Sequence, residues 1–266
     1  MKKFELTSEF TTNIFGVKLF RIRALIEFGD VEVGDKGGFV EKEENLSQDG
    51  NAWVYGNAEV SGNAQVSGNA WVSGNAEVSG NAEVSGNAQV FGNARVYGDA
   101  WVYGDAWVYG DAQVYGDAWV FGDAQVYGDA WVYGNARVYG DAWVFGDAKV
   151  SGDAKVSGDA QVYGNARVYG DAWVYGDAKV SGDAQVYGDA WVYGDADYAM
   201  VKGFGRDYRN TTFFRCKDGK IRVACGCFSG DLDEFREKVK ETHGDGKMAK
   251  EYLAIADLME MHFCEE

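Results

Sequence analysis

From Gly50 to Tyr193 the chain repeats one six-residue unit, Gly-(Asn/Asp)-Ala-x-Val-(Tyr/Ser/Phe), 24 times with no insertion. Glycine, alanine and valine keep their places in every copy. Within Ala-x-Val-y, alternate side chains point to opposite faces of a strand. Ala52 and Val54 therefore face one way, Trp53 and Tyr55 the other. Glycine followed by Asn or Asp suits a corner, because both tolerate left-handed backbone. Each hexad reads as one short strand and one bend. A strand this short cannot bury its own valine, so each coil must stack on its neighbours. A helix is excluded, since glycine recurs every sixth residue and apolar residues fall two apart. Antiparallel hairpins would need two positive-φ positions per turn and a polar outer face. The prediction is an all-β solenoid.

Written from the valine, the unit is Val-x-Gly-(Asn/Asp)-Ala-x, and it resembles the hexapeptide repeat of left-handed parallel β-helices. The resemblance covers residues 50–199 and implies three hexads per triangular coil, hence about eight coils. At the usual strand spacing such a prism is roughly 38 Å long. Residues 1–49 are predicted to be an irregular β cap. Val17–Phe28 reads as a strand with Phe4–Thr12 as its hairpin partner, and Gly37-Gly38-Phe39-Val40 as a degenerate lead-in coil. Gly29-Asp30-Val31 and Glu43-Glu44-Asn45-Leu46-Ser47 resemble the leader of hexapeptide-repeat proteins common in bacteriophage and prophage genomes, which implies a phage-encoded protein. Residues 200–266 read as a ββαα domain. Thr211–Cys216 and Lys220–Cys225 form its hairpin, one helix follows Ser229-Gly230-Asp231 and ends at Gly244, and another runs from Lys247 to Phe263. Similar tails recur on the same phage proteins.

Charge narrows the function. Acidic residues outnumber basic ones 42 to 25, a net charge of -17. Direct nucleic-acid binding is not expected, because phosphates demand a basic surface. Aromatics at 15% are too many for a disordered acidic tail. Four cysteines make no disulfide framework, and no apolar run suggests a signal peptide or a membrane span. A cytoplasmic location is expected.

Many left-handed β-helix proteins resemble one another in being acyltransferases with a coil histidine as general base. This repeat holds no histidine: His243 and His262 both lie in the tail. No loop interrupts the repeat to shape a substrate pocket. An acyltransferase-like enzyme is therefore the weaker alternative, and no catalytic residue or cofactor is expected. Cys216, Cys225, Cys227 and His243 are ligand types that suit zinc. However, Cys225 and Cys227 are only one residue apart, and buried free thiols are the competing reading.

The outward positions carry the rest. All nine tryptophans occupy the x site: Trp53, Trp71, Trp101, Trp107, Trp119, Trp131, Trp143, Trp173 and Trp191. The y site holds 13 Tyr, 3 Phe and 8 Ser. Residues 18 apart should stack, Trp101 on Trp119 and Trp173 on Trp191, giving ladders that stiffen the rod or an adhesive surface. Trp107 belongs to the same candidate surface. Asn fills the first eight corners, and Asp holds 15 of the next 17, beginning with Asp99, Asp105, Asp111, Asp117, Asp123 and Asp129. That places one carboxylate every ~1.8 Å along the axis at ordinary strand spacing, near the ~1.7 Å per charge of duplex DNA. Two non-enzymatic roles follow. One is a rigid acidic-aromatic scaffold that binds a host or phage protein, or assembles with itself. The alternative is a DNA mimic that inhibits a host nucleic-acid-binding or defence protein.

Overall fold

A computed structural model describes residues 1–205 and 208–264. The chain opens with a β1 (Phe4–Thr12) and β2 (Lys18–Ala24) antiparallel hairpin. β3 (Lys36–Val40) then runs antiparallel to β2 and parallel to the first coil. Twenty-four short strands follow, from β4 (Trp53–Val54) to β27 (Trp191–Val192). Each pairs in parallel with the strand three further on, residue i with residue i+18, as in Trp101 with Trp119 and Val102 with Val120. The result is a three-sided parallel β-solenoid: two faces are eight-stranded sheets, and the third is extended to eleven strands by β1, β2 and β3.

Side-chain size at the invariant positions explains the prism. Ala52 and Val54, and every repeat alanine and valine through Ala190 and Val192, are fully buried. Three backbone bonds per hexad tie each coil to the next. In one hexad Asp99 N donates to Gly116 O, Trp101 N to Ala118 O and Tyr103 N to Val120 O, at 2.9–3.0 Å. Glycine is required twice over at the corners. Gly86 has φ +70°, and a Cβ there would lie 2.9 Å from both Gly104 N and Gly104 O.

Because the bonds between coils all run from an N–H to a carbonyl of the following coil, the first coil is left with orphan carbonyls and the last with orphan N–H groups. Backbone N–H groups of Phe39, Glu41 and Ser47 meet Ala58 O, Val60 O and Val66 O, and side chains from the two caps take up others of both sets. At the start, Lys3 Nζ donates to Ala52 O (3.0 Å), Arg21 Nη1 to Gly56 O (3.2 Å) and Asn45 Nδ2 to Ala64 O (2.8 Å). At the end, Lys179 N donates to Asp195 Oδ1, Gln185 N to Thr212 Oγ1 and Tyr193 N to Asp197 Oδ2.

The 24 hexads make eight coils, and the expected lead-in turn, in which Phe39, Val40 and Leu46 pair with Glu59, Val60 and Val66 at an offset of 20 residues, brings the solenoid to about nine turns. Two sequence expectations are revised. Trp53 does not face solvent. It is 1% exposed beneath Phe4 and Phe28 of the cap, whose rings meet it edge-on at 6.2 and 5.3 Å. The tail has four strands, not two. β28 (Tyr198–Phe204), β29 (Arg209–Arg215), β30 (Ile221–Cys225) and β31 (Phe228–Asp231) form one antiparallel sheet. α1 (Leu232–His243) and α2 (Lys247–Phe263) pack against it through Phe213, Val223, Phe235 and Ile255. A capping box starts α1: Asp231 Oδ1 accepts from Glu234 N, and Glu234 Oε2 from Asp231 N. No helix among the described residues is long and apolar enough to cross a membrane.

Candidate interaction surface

Three kinds of column run along the rod, each repeated on its three sides. The first is made of y-site rings. Phe91, Tyr109, Tyr127, Phe145 and Tyr163 form one ladder with centroids 4.8–4.9 Å apart and planes within 7°. Tyr97, Tyr115 and Tyr133 form a second, and Tyr103, Phe121 and Tyr139 a third. Burial within these ladders raises the phenol pKa of Tyr97, Tyr103, Tyr109, Tyr115 and Tyr127. All three ladders lie half-sunk between the coils.

The second kind is made of x-site residues, and here the faces differ. The face beginning at Trp53 continues in register as Trp71, Gln89, Trp107, Gln125, Trp143, Gln161 and Lys179. The next face reads Glu59, Glu77, Arg95, Gln113, Trp131, Lys149, Arg167, Gln185. The third reads Gln65, Glu83, Trp101, Trp119, Arg137, Lys155, Trp173, Trp191. Basic residues on the last two faces lie over neighbouring tryptophans: Lys149 over Trp131 at 4.1 Å, Arg137 over Trp119 at 4.8 Å and Lys155 over Trp173 at 5.4 Å. Trp101 and Trp119 are stacked, 5.3 Å apart and 8° from parallel. Trp173 and Trp191 are in register but meet edge-to-face at 79°, not stacked. Trp173 turns its Nε1 to Ser157 Oγ instead (3.1 Å).

The third kind is made of corner residues. From Asn63 onward, each corner asparagine Nδ2 donates to the Oδ1 one coil ahead, as from Asn63 to Asn81 (3.1 Å), Asn81 to Asp99 (2.9 Å) and Asn135 to Asp153 (2.9 Å). Asp has no such donor to offer. Asp99 and Asp117 share one corner, Asp105 and Asp123 a second, Asp111 and Asp129 a third, so the six predicted acids are divided evenly around the prism. Only the 18-residue period reveals the longest acid line, Asp105, Asp123, Asp141, Asp159, Asp177 and Asp195. Another corner, with Asp111, Asp129, Asp147 and Asp183, flanks an open groove of about 690 Å³ floored by Trp131, Lys149 and Arg167.

These columns, with nothing inserted between them, make up the outer surface of the rod. The chain is a repeat β-helix protein. A family model described as YdcK Beta solenoid repeat matches it at residues 64–80, 88–104, 112–128, 130–146 and 160–176. No curated protein matches the chain. Its repeats are thus similar to a solenoid family, and the outer residues must be interpreted on their own chemistry.

The thiols lie apart from the rod's columns. Cys216 is buried at the end of the solenoid beside Ala190, and burial, reinforced by Asp189, pushes its thiol up to about 12. Cys225, Cys227 and His243 line a hollow of about 410 Å³ with Phe228, Phe235 and Val239. Cys225 Sγ accepts from Thr211 Oγ1 at 3.2 Å. Among the described residues, no three His, Cys, Asp or Glu side chains are grouped to hold a metal ion.

Two features escaped the sequence reading. Trp71 and Trp143 are, with Trp101 and Trp107, the exposed tryptophans among the described residues, at 36–41%. Lys3 is a buried cation serving as a cap. The first had a signal, a 36-residue recurrence. The second had none, because its carbonyl partners are almost fifty residues away in sequence.

Proposed function

We propose that this protein is a non-enzymatic scaffold, a rigid rod that presents its acidic-aromatic columns to a protein partner or to a second copy of itself. The observation that carries this reading is the unbroken i to i+18 register. Along the solenoid only the outward side chains vary, so whatever is recognised is recognised there. Large exposed aromatic surface is the usual mark of an interface, and the fixed ladders keep it pre-organised. The resemblance to phage leaders makes a host or phage protein the natural partner. Sedimentation of the full chain at rising concentration tests the self-assembly arm. The rod should associate, and changing Trp101, Trp119, Trp173 and Trp191 to Ser should return it to monomer. A monomer at every concentration that also yields no stoichiometric cross-linked protein in host extract would defeat the reading.

The line from Asp105 to Asp195 supports a second reading, DNA mimicry. Six carboxylates in file along one corner form a linear charge that a phosphate-binding cleft can follow. Salt-sensitive binding to a DNA-binding enzyme, competed by duplex DNA and lost when those six become Asn, is the expected result. Binding that survives the six changes would eliminate it.

A further inference from the structure

Three of the four exposed tryptophans, Trp71, Trp107 and Trp143, lie on one face at alternate coils. Each is held in a similar pose, edge-to-face on the ring one coil earlier: Tyr55 at 5.6 Å and 62°, Phe91 at 6.1 Å and 74°, Tyr127 at 6.4 Å and 70°. Gln89, Gln125 and Gln161 occupy the intervening coils, and Tyr109 O–H donates to Gln125 Oε1 at 3.4 Å. The amide nitrogen of Gln125 takes no part in that bond. From Trp71 to Gln161 this column has no charged residue, although the same sites on the other two faces carry Glu, Lys and Arg. Exposed corners flank it on both sides, Asp105, Asp123 and Asp141 on one and Asp111, Asp129 and Asp147 on the other.

We propose that this face binds an extended, uncharged β-1,4-linked glycan, laid lengthwise along the rod. The argument is one of period and chemistry. Alternate coils are about 9.6 Å apart. A β-1,4-linked chain turns each sugar over relative to the last, so the same pyranose face returns every second residue, at about the same length. An aromatic ring with an apolar face suits the C–H face of a sugar, and its position is fixed here before binding. Glutamine amides between the rings and carboxylates at the margins meet hydroxyl groups as donors and acceptors. The same carboxylates repel uronate or phosphate polymers. The reading is independent of the protein-scaffold proposal, since a glycan gel contains no protein partner.

Native affinity electrophoresis of the full chain tests it, in gels containing hydroxyethylcellulose, carboxymethylcellulose or amylose. Retardation is expected in hydroxyethylcellulose, weaker in its anionic counterpart and absent in amylose. Trp107→Ser with Trp143→Ser should weaken the retardation at least tenfold, and Trp131→Ser, a ring on another face covered by Lys149, should leave it unchanged. A composition-neutral variant, Trp107→Gln with Gln125→Trp, breaks the alternation while giving the moved ring Tyr109 to lean on. It should bind as poorly as the double serine variant with an unchanged circular dichroism spectrum. The proposal is overturned by no retardation in hydroxyethylcellulose, by equal retardation in amylose, by full binding of the exchanged variant, or by loss of retardation that follows a change from dimer to monomer.

Discussion

Lys3 Nζ donates to the Ala52 carbonyl at 3.0 Å, and with that bond the cap closes one corner of the first coil. The ammonium group is buried, also faces Gly50 O at 3.4 Å, and lies 4.9 Å from the Phe28 ring centre. Burial lowers its pKa from 10.5 to about 8, with Asp49 opposing the shift. Arg21 and Asn45 do the equivalent work at the other two corners, and Asp195, Thr212 and Asp197 do the reverse at the far end. A parallel solenoid has unlike ends, donors at one and acceptors at the other, and the caps match that polarity.

Lys3→Met should therefore destabilise the protein by ~1–3 kcal/mol, the ordinary cost of leaving a buried acceptor without its donor. The deficit should depend on pH. Between about 8 and 10.5 the unfolded chain holds the Lys3 proton and the folded chain does not. Folding then releases a proton, so this group's contribution to stability rises with pH across that window. Paired thermal melts from pH 7 to pH 10.5 should show wild type gaining on the variant above pH 8. A constant difference would mean that the site does not titrate there.

The corners give a second comparison. Gly86 and Gly188 both have positive φ, +70° and +64°, but only Gly86 faces backbone in the next coil. Nothing lies within 4 Å of a Cβ at Gly188. Gly188→Ala should lose ~1–3 kcal/mol from left-handed backbone alone. Gly86→Ala adds a steric clash with Gly104 N and O, so its loss in denaturant titration should be clearly larger. Equal losses would show that coil spacing relaxes freely.

The relation of sequence to structure divides along the same line. Invariant Gly, Ala and Val state a local rule, and repeating that rule 24 times makes the i+18 register and the buried interior legible without coordinates. Legibility ends where contacts are tertiary. Trp53 has the same hexad as Trp71, yet it is covered because Phe4 and Phe28 fold back on it. β28 follows a 3-10 turn at Asp195–Asp197, where Gly194-Asp195-Ala196 still reads as one more repeat corner, and β31 is masked by the Ser-Gly-Asp that opens α1. The inequality among tryptophans depends on the residue one coil away. Lys149 lies over half-buried Trp131, whereas the residues paired with exposed Trp107 are glutamines.

The ring ladder should show position dependence. Tyr127 stacks on Tyr109 and Phe145 and supports Trp143, whereas Tyr163 ends the column against Phe145. Serine is native at eight y sites, so either residue can become Ser without breaking the fold. Tyr163→Ser should cost about 0.5–1.5 kcal/mol and Tyr127→Ser two to three times as much, at that value per aromatic pair. Urea titration followed by circular dichroism measures both. Equal costs would show that the stacks contribute little beyond burial.

The corner acids allow the most informative substitution. Asp141 sits in file between Asp123 and Asp159, where like charges repel and no side-chain hydrogen bond links the coils. Where the rod keeps Asn, at Asn135 and Asn165, the amide donates to Asp153 and Asp183 at 2.9 and 3.0 Å. Asp141→Asn should reproduce that bond toward Asp159 and remove one repulsive charge, stabilising the rod by ~0.5–1.5 kcal/mol. Part of the gain should disappear in high salt, because exposed charges a coil apart are screened. A stabilising result would mean that the acid line persists despite its cost to stability, as expected when the surface charge is itself the selected property. A neutral or destabilising result would place the aspartates among the ordinary corner residues and withdraw support from any reading that depends on their charge.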